Sequence, residues 1–360
     1  MRVALVYDRV NKWGGAERVL LALHELFPDA PLYTSVYNAP HAQWAKVFTI
    51  RTSFLQRISV AKGAHEYFAL FMPLAFESFN FDQYDLVISV TSEAAKGIIT
   101  QPQTKHICIC LTPTRYLWSG YGEYFMNPLF RIVTIPVVWY LRRWDMIAAS
   151  RPDVMVAISR EVKERIKKYY KKNAPVLYPP AMLDSGSTKR SRAGEYFLVV
   201  SRMVPYKRVD IAIHACNQLG LPLKIVGSGS EFFRLKKLAG PTIEFLGNLT
   251  DEELVEYYKD CKALIFPGKE DFGLTIVEAQ AYGKPVIAFR GGGARETVIG
   301  EKTGLFFYPQ TVEALKIALK KFQNRRFNQS FSRKQAAKFS KKRFKHELLI
   351  LIDDLLSRNI

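Results

Sequence analysis

Ala263-Leu-Ile-Phe266, then Pro267-Gly-Lys-Glu-Asp-Phe-Gly273, then Leu274-Thr-Ile-Val-Glu-Ala-Gln-Ala-Tyr282, and after Gly283-Lys284 the run Pro285-Val-Ile-Ala-Phe289, form one uninterrupted stretch. Its first piece is a short, wholly apolar run, which reads as a buried strand. The second is a polar loop ended by glycine, the third an apolar-rich stretch of helical length, and the fourth another buried strand. Strand, helix, strand with both strands apolar on every residue is the pattern of a parallel sheet covered on both faces.

The same alternation extends in both directions. Downstream of a polar stretch at residues 184–194, residues 196–201, 223–226 and 243–246 read as strands. Residues 209–217 and 251–259 read as helices. Upstream, residues 3–7, 85–90, 106–110 and 154–159 are strand-like, and residues 16–26 helical. The fold class expected is therefore α/β, two tandem Rossmann-like domains whose strand C-termini face one cleft. The boundaries are 1–180 for the first domain, 181–194 for a linker and 195–338 for the second. Residues 339–360 remain as a C-terminal helical segment.

Composition narrows the partners. Hydrophobic residues make up 48% and charged residues 24%, which is globular and not disordered. No stretch reads as a secretory signal or reaches the roughly 18 apolar residues of a membrane span. The nearest, Ile132 to Leu141, is short, contains Pro136 and is flanked by Arg131 and Arg142-Arg143, so it reads as a core helix or an interfacial segment. Cys108, Cys110, Cys216 and Cys261 give no zinc spacing and suit a reducing, cytoplasmic setting. The formal charge of +19 calls for something anionic. The excess is concentrated from Lys163 to Lys172 and from Lys316 to Lys345, the latter without one acidic residue. Both are solvated helix faces or contacts to an anionic membrane surface on the inner face. Nucleic acid would need aromatics free to stack; Phe322, Phe327, Phe331, Phe339 and Phe344 are present but equally suit buried helix faces.

Three glycine-containing turns follow strands and precede helices: Gly14-Gly15, Gly273 within Lys269 to Glu278, and Gly291-Gly292-Gly293. Glycine lets the backbone approach a ligand closely, and free amides at a helix start favour an anion. Arg202 and Lys207 sit just after the first strand of the second domain, where a diphosphate would find a guanidinium fork and a mobile ammonium. Glu270 and Glu278 are carboxylates suited to accept hydrogen bonds from vicinal hydroxyls. No Walker ending, metal-ligand spacing of histidines or serine-hydrolase motif occurs. The chemistry implied is positioning and electrostatic stabilisation of a leaving diphosphate.

Glu270-Asp-Phe-Gly-Leu with Glu278 resembles the paired-glutamate signature of retaining GT-B glycosyltransferases of family 4. Ser201-Arg-Met-Val-Pro-Tyr-Lys-Arg-Val-Asp210, Gly227-Ser-Gly-Ser-Glu231, Phe245-Leu-Gly247 and Gly291-Gly-Gly-Ala-Arg-Glu296 are similar to that family's other blocks. Gly14-Gly-Ala-Glu17 and Thr112-Pro-Thr-Arg-Tyr-Leu-Trp118 resemble the branch of bacterial O-antigen and exopolysaccharide mannosyltransferases. The resemblance implies that a hexose such as mannose moves from a GDP- or UDP-linked donor to a lipid-linked or polysaccharide acceptor, with retention and no metal. It implies that Arg202 and Lys207 hold the diphosphate, Glu278 the ribose, and Glu270 the transferred sugar near the reacting carbon. Gly15, Gly227 and the amides of Phe272, Gly273 and Leu274 complete the donor site, and the C-terminal helix returns to the first domain. In one respect the chain departs from that branch: Leu111 stands before Thr112-Pro113, where its members usually carry His. Leucine can neither donate nor accept a proton. The competing readings are a degenerate GT-B protein that binds nucleotide or glycan without transfer, and a nucleotide-sugar 2-epimerase, which needs more acid/base side chains than the motifs supply.

Overall fold

A computed structural model of the chain describes residues 1–63, 65–124, 128–181 and 194–357. Residues 182–193, most of the expected linker, lie outside the described residues. The chain divides into two compact units, one made of Met1–Pro180 with Lys342–Ile360, the other of Ala181–Lys341.

The first unit is built on six strands: β1 (Val3–Tyr7), β2 (Leu32–Thr34), β3 (Ile50–Thr52), β4 (Leu86–Thr91), β5 (Lys105–Cys110) and β6 (Val154–Ala157). Their order across the sheet is β3-β2-β1-β4-β5-β6, with every pairing parallel. The second unit repeats the plan with β7 (Phe197–Val200), β8 (Leu223–Val226), β9 (Ile243–Gly247), β10 (Ala263–Phe266), β11 (Val286–Phe289) and β12 (Gly304–Phe307), ordered β12-β11-β10-β7-β8-β9 and again all parallel. These are the two doubly wound α/β sheets of a GT-B architecture.

Alternation along the strands explains why each sheet is covered twice. In β10, Ile265 joins one apolar cluster with Phe197, Ile225, Ile287 and the helices Val209–Leu219 and Val312–Gln323. Its neighbours Leu264 and Phe266 point the other way, into a cluster with Leu198, Val286 and the helix Leu274–Ala281. No face is left for water, so the strands read as continuous apolar runs.

In two places the structure adds to what sequence patterning gives. Sequence patterning missed β2, β3 and β12; the first two are only three residues long, and β12 begins on a glycine. Of the two readings left open for Ile132 to Leu141, core helix or interfacial segment, the burial pattern fits a helix with one buried stripe better than a core helix. The run lies in a 23-residue helix, Pro128–Ser150. Val138, Leu141, Asp145, Ala148 and Ala149 form its buried stripe, while Ile132, Val133, Ile135 and Trp139 are exposed. Among the described residues no helix is long and apolar enough to cross a membrane.

Candidate functional site

In the second sheet the strand order reverses between β7 and β10, the place where open α/β sheets hold ligands. Two loops leave there side by side. Ser201 to Arg208 follows β7, and Pro267 to Gly273 follows β10. They touch so closely that a side chain at Gly268 would press on the Lys207 backbone, about 3 Å away. That contact brings together two residues 63 positions apart: the Lys207 ammonium forms an ion pair with the Glu270 carboxylate. Lys207 is buried at 7% exposure, and Glu270 is half-buried. Desolvation strengthens the attraction between them beyond that of a surface pair.

The glycine-rich turn after β11 supports Glu270 from below. Gly293 N–H donates to the Glu270 carbonyl at 2.9 Å. Gly292 has φ +61°, and a Cβ there would run into that same carbonyl; one at Gly293 would strike the Phe272 backbone. Gly273, at φ +88°, opens the helix Leu274–Ala281. Gly227 (φ +124°) packs against the Ser201 carbonyl, so the loop after β8 closes on the loop after β7. Arg202 lies exposed at the mouth, its guanidinium donating to Tyr206 Oη at 2.9 Å. Thus Arg202, Lys207, Glu270, Gly227 and the Phe272-Gly273-Leu274 segment gather at one sheet edge.

Glu278 is held differently. It is buried, and Tyr258 Oη, from the helix Asp251–Asp260, donates to its Oε2 at 2.9 Å. Gly15, in the other unit, opens the helix Gly15–His24 directly after the loop that leaves β1.

In the first unit, the Thr112 to Trp118 segment is organised by a carboxylate that sequence reading passed over. Asp145 accepts from Thr114 Oγ1 (2.8 Å), Trp118 Nε1 (2.7 Å) and Tyr170 Oη (2.7 Å), and pairs with Lys96 at 2.6 Å. Burial opposes the Lys96 charge, but Asp145 outweighs it and holds the ammonium above its ordinary pKa. Asp8, at the end of β1, likewise gathers the loop after β4 by accepting from the amides of Ser92, Glu93, Ala94 and Ala95. Partners this distant leave no local sequence signal.

His106 does not stand in for the histidine absent at Leu111. It is wholly buried, shares a 2.8 Å hydrogen bond with Ser89 Oγ, and burial lowers its pKa to about 3. The four cysteines are free and buried. Among the described residues there is no group of three or more His, Cys, Asp or Glu placed to hold a metal ion. The basic run from Lys316 to Lys345 spreads over three helices; Phe322 and Phe344 are buried in the first and third and Phe339 between the second and third, so of the five phenylalanines only Phe331 is strongly exposed among the described residues.

Comparison with known proteins bears on this edge directly. Residues 185–345 match the family model Glycosyl transferases group 1. The match is nearly coextensive with the second unit, and it contains every residue of the cluster around Lys207 and Glu270. An uncharacterized glycosyltransferase of Methanocaldococcus jannaschii is 30% identical over 44% of this chain and 46% of its own length. A GDP-mannose-dependent alpha-(1-6)-phosphatidylinositol monomannoside mannosyltransferase of Mycobacterium tuberculosis is 29% identical over 47% of this chain and 54% of its own. The chain thus spans about half the length of these relatives. Among solved structures, Anabaena HepE in complex with UDP superposes with a TM-score of 0.71, covering 98% of this chain and 100% of that one at 17% identity, a likeness of fold.

Proposed function

We propose that this protein is a glycosyltransferase, moving a hexose from a GDP- or UDP-linked donor to a lipid-linked or polysaccharide acceptor with retention of configuration. The observation that carries the reading is the Lys207–Glu270 pair at the strand-order reversal of the second sheet, floored by glycines that admit no side chain. An ammonium kept at a sheet edge by a carboxylate is preorganised to neutralise a departing diphosphate, with Arg202 as its second cation. Glu270 is then free to accept hydrogen bonds from hydroxyls of the bound sugar. The amides at the start of the helix Leu274–Ala281 suit phosphate or sugar oxygens. Glu278 serves the ribose by exchanging its Tyr258 bond for hydroxyl contacts. Mannose is the first sugar to test, because the Mycobacterium tuberculosis relative is named for GDP-mannose.

Glu270→Gln keeps the side chain's shape and removes its charge. Transfer of radiolabelled sugar from GDP-mannose to a lipid-linked acceptor fraction should fall by about a hundredfold or more in this variant, the range for loss of a preorganised electrostatic partner. Undiminished transfer would remove Glu270 from the reaction. Intact donor binding with no transfer by the wild-type protein to any acceptor would favour the non-catalytic reading, to which Leu111 already lends support.

A further inference from the structure

The first unit carries an apolar surface that the transfer chemistry does not use. The N-terminal half of the helix Pro128–Ser150 stands outward on nearly all sides: Val133 is 75% exposed, Ile132 64% and Trp139 59%. A second exposed apolar segment lies against it. Ala69, Met72 and Pro73 line a small cavity together with Leu141 and Trp144, and Trp144 Nε1 donates to Glu77 Oε1 at 2.7 Å. From that segment Tyr67, Phe71 and Leu74 face solvent.

Charge says what covers this surface. No acidic residue occurs between Glu123 and Asp145, and Asp145 is buried against Lys96. The helix instead carries Arg131, Arg142 and Arg143, with guanidinium groups lying over aromatic rings: Arg131 over Tyr121 at 5.1 Å and Arg143 over Trp139 at 4.9 Å. Exposed aliphatics, a Trp and Tyr at their margin and, along the helix, arginines with no exposed acid among them match the headgroup–acyl boundary of an anionic bilayer. A second copy fits poorly, because a two-fold pairing of this helix would set arginines against arginines, and Glu77 of the neighbouring segment is already paired with Arg151.

We propose that this face of the first unit docks onto an anionic lipid surface, the helix Pro128–Ser150 lying in the interfacial plane. The contact is apolar first and electrostatic second, and it is distinct from the basic stretches at Lys163 to Lys172 and Lys316 to Lys345. It goes beyond the transfer reaction and does not depend on it.

The test is cosedimentation of the full chain with vesicles of phosphatidylcholine and phosphatidylglycerol, and with phosphatidylcholine alone. Binding is expected to the mixed vesicles and to weaken only in part as salt is raised. Ile132→Glu with Val133→Glu, both exposed positions, should reduce it about tenfold or more while far-ultraviolet circular dichroism stays unchanged. Should that variant misfold, brominated acyl chains provide the second measurement: they should quench wild-type tryptophan fluorescence, and Trp139→Phe should lose that quenching. No binding to either vesicle overturns the proposal. So does unaltered binding by the double variant, or binding lost instead on Lys163→Glu with Lys167→Glu. A dimer in lipid-free solution that the double variant dissolves, with no vesicle binding, would assign the face to self-association and overturn it equally.

Discussion

Lys207 and His106 are both ionisable and buried, but they meet different partners. Lys207 meets a carboxylate at the edge of its sheet and stays available to a ligand. The His106 imidazole lies within the sheet against Ser89, and burial lowers its pKa to about 3. The unfolded chain's imidazole takes up a proton near pH 6.5, so between that value and about 3 only the unfolded state binds it. The stability this group contributes is therefore complete above about pH 6.5 and is lost as pH falls, by up to about 1.4 kcal/mol per unit. Urea unfolding of His106→Asn should lose less stability than the wild type between about pH 6.5 and 5. An identical loss in both would mean that His106 is already protonated in the folded chain.

Elements show where sequence reading works. The unit from β10 through the helix Leu274–Ala281 to β11 was legible because Pro267, Gly273 and Pro285 punctuate short apolar runs. The loops that gather the site were legible too, since each follows a readable strand. That Glu270 would meet Lys207 depends on strand order, which no local pattern encodes. Glu278 met Tyr258 from another helix, and Asp145 tied down the Thr112 to Trp118 segment from 27 or more residues away in the chain, as in its bond from Trp118. The run Ile132 to Leu141 left two readings open for a different reason: apolar composition reports affinity for a nonaqueous surface but not whose surface it is. The turn after β11 offers a test of the floor beneath Glu270. Gly292→Ala forces a side chain into left-handed backbone and against the Glu270 carbonyl, and should destabilise the second unit by about 1–3 kcal/mol. Thermal unfolding at matched pH checks this; no change would show that the turn relaxes freely.

At the scale of the whole molecule, the chain passes out of its second unit and ends on the first. The helix Lys341–Ser357 buries Phe344, Leu348 and Ile352, and Lys345 pairs with Glu25 at 2.5 Å. Leu348→Ala should cost about 2–5 kcal/mol, the range for a cavity at a fully buried leucine. Limited proteolysis should then cut within residues 1–180 sooner than within 195–338; equal resistance in both would mean that the terminal helix is dispensable to the first unit. The repeat of one sheet plan in two units, with the cationic and carboxylate groups concentrated at the reversal of the second, is what the proposed donor binding rests on. Calorimetric titration with GDP and with UDP, in metal-free buffer, tests that link most directly. One of the two nucleotides should bind, and Lys207→Ala should weaken it by roughly 1.5–3 kcal/mol, as for a charged hydrogen bond, with Glu278→Ala weakening it as well. Binding of neither nucleotide, or equal binding by wild type and Lys207→Ala, would contradict a diphosphate site at this sheet edge.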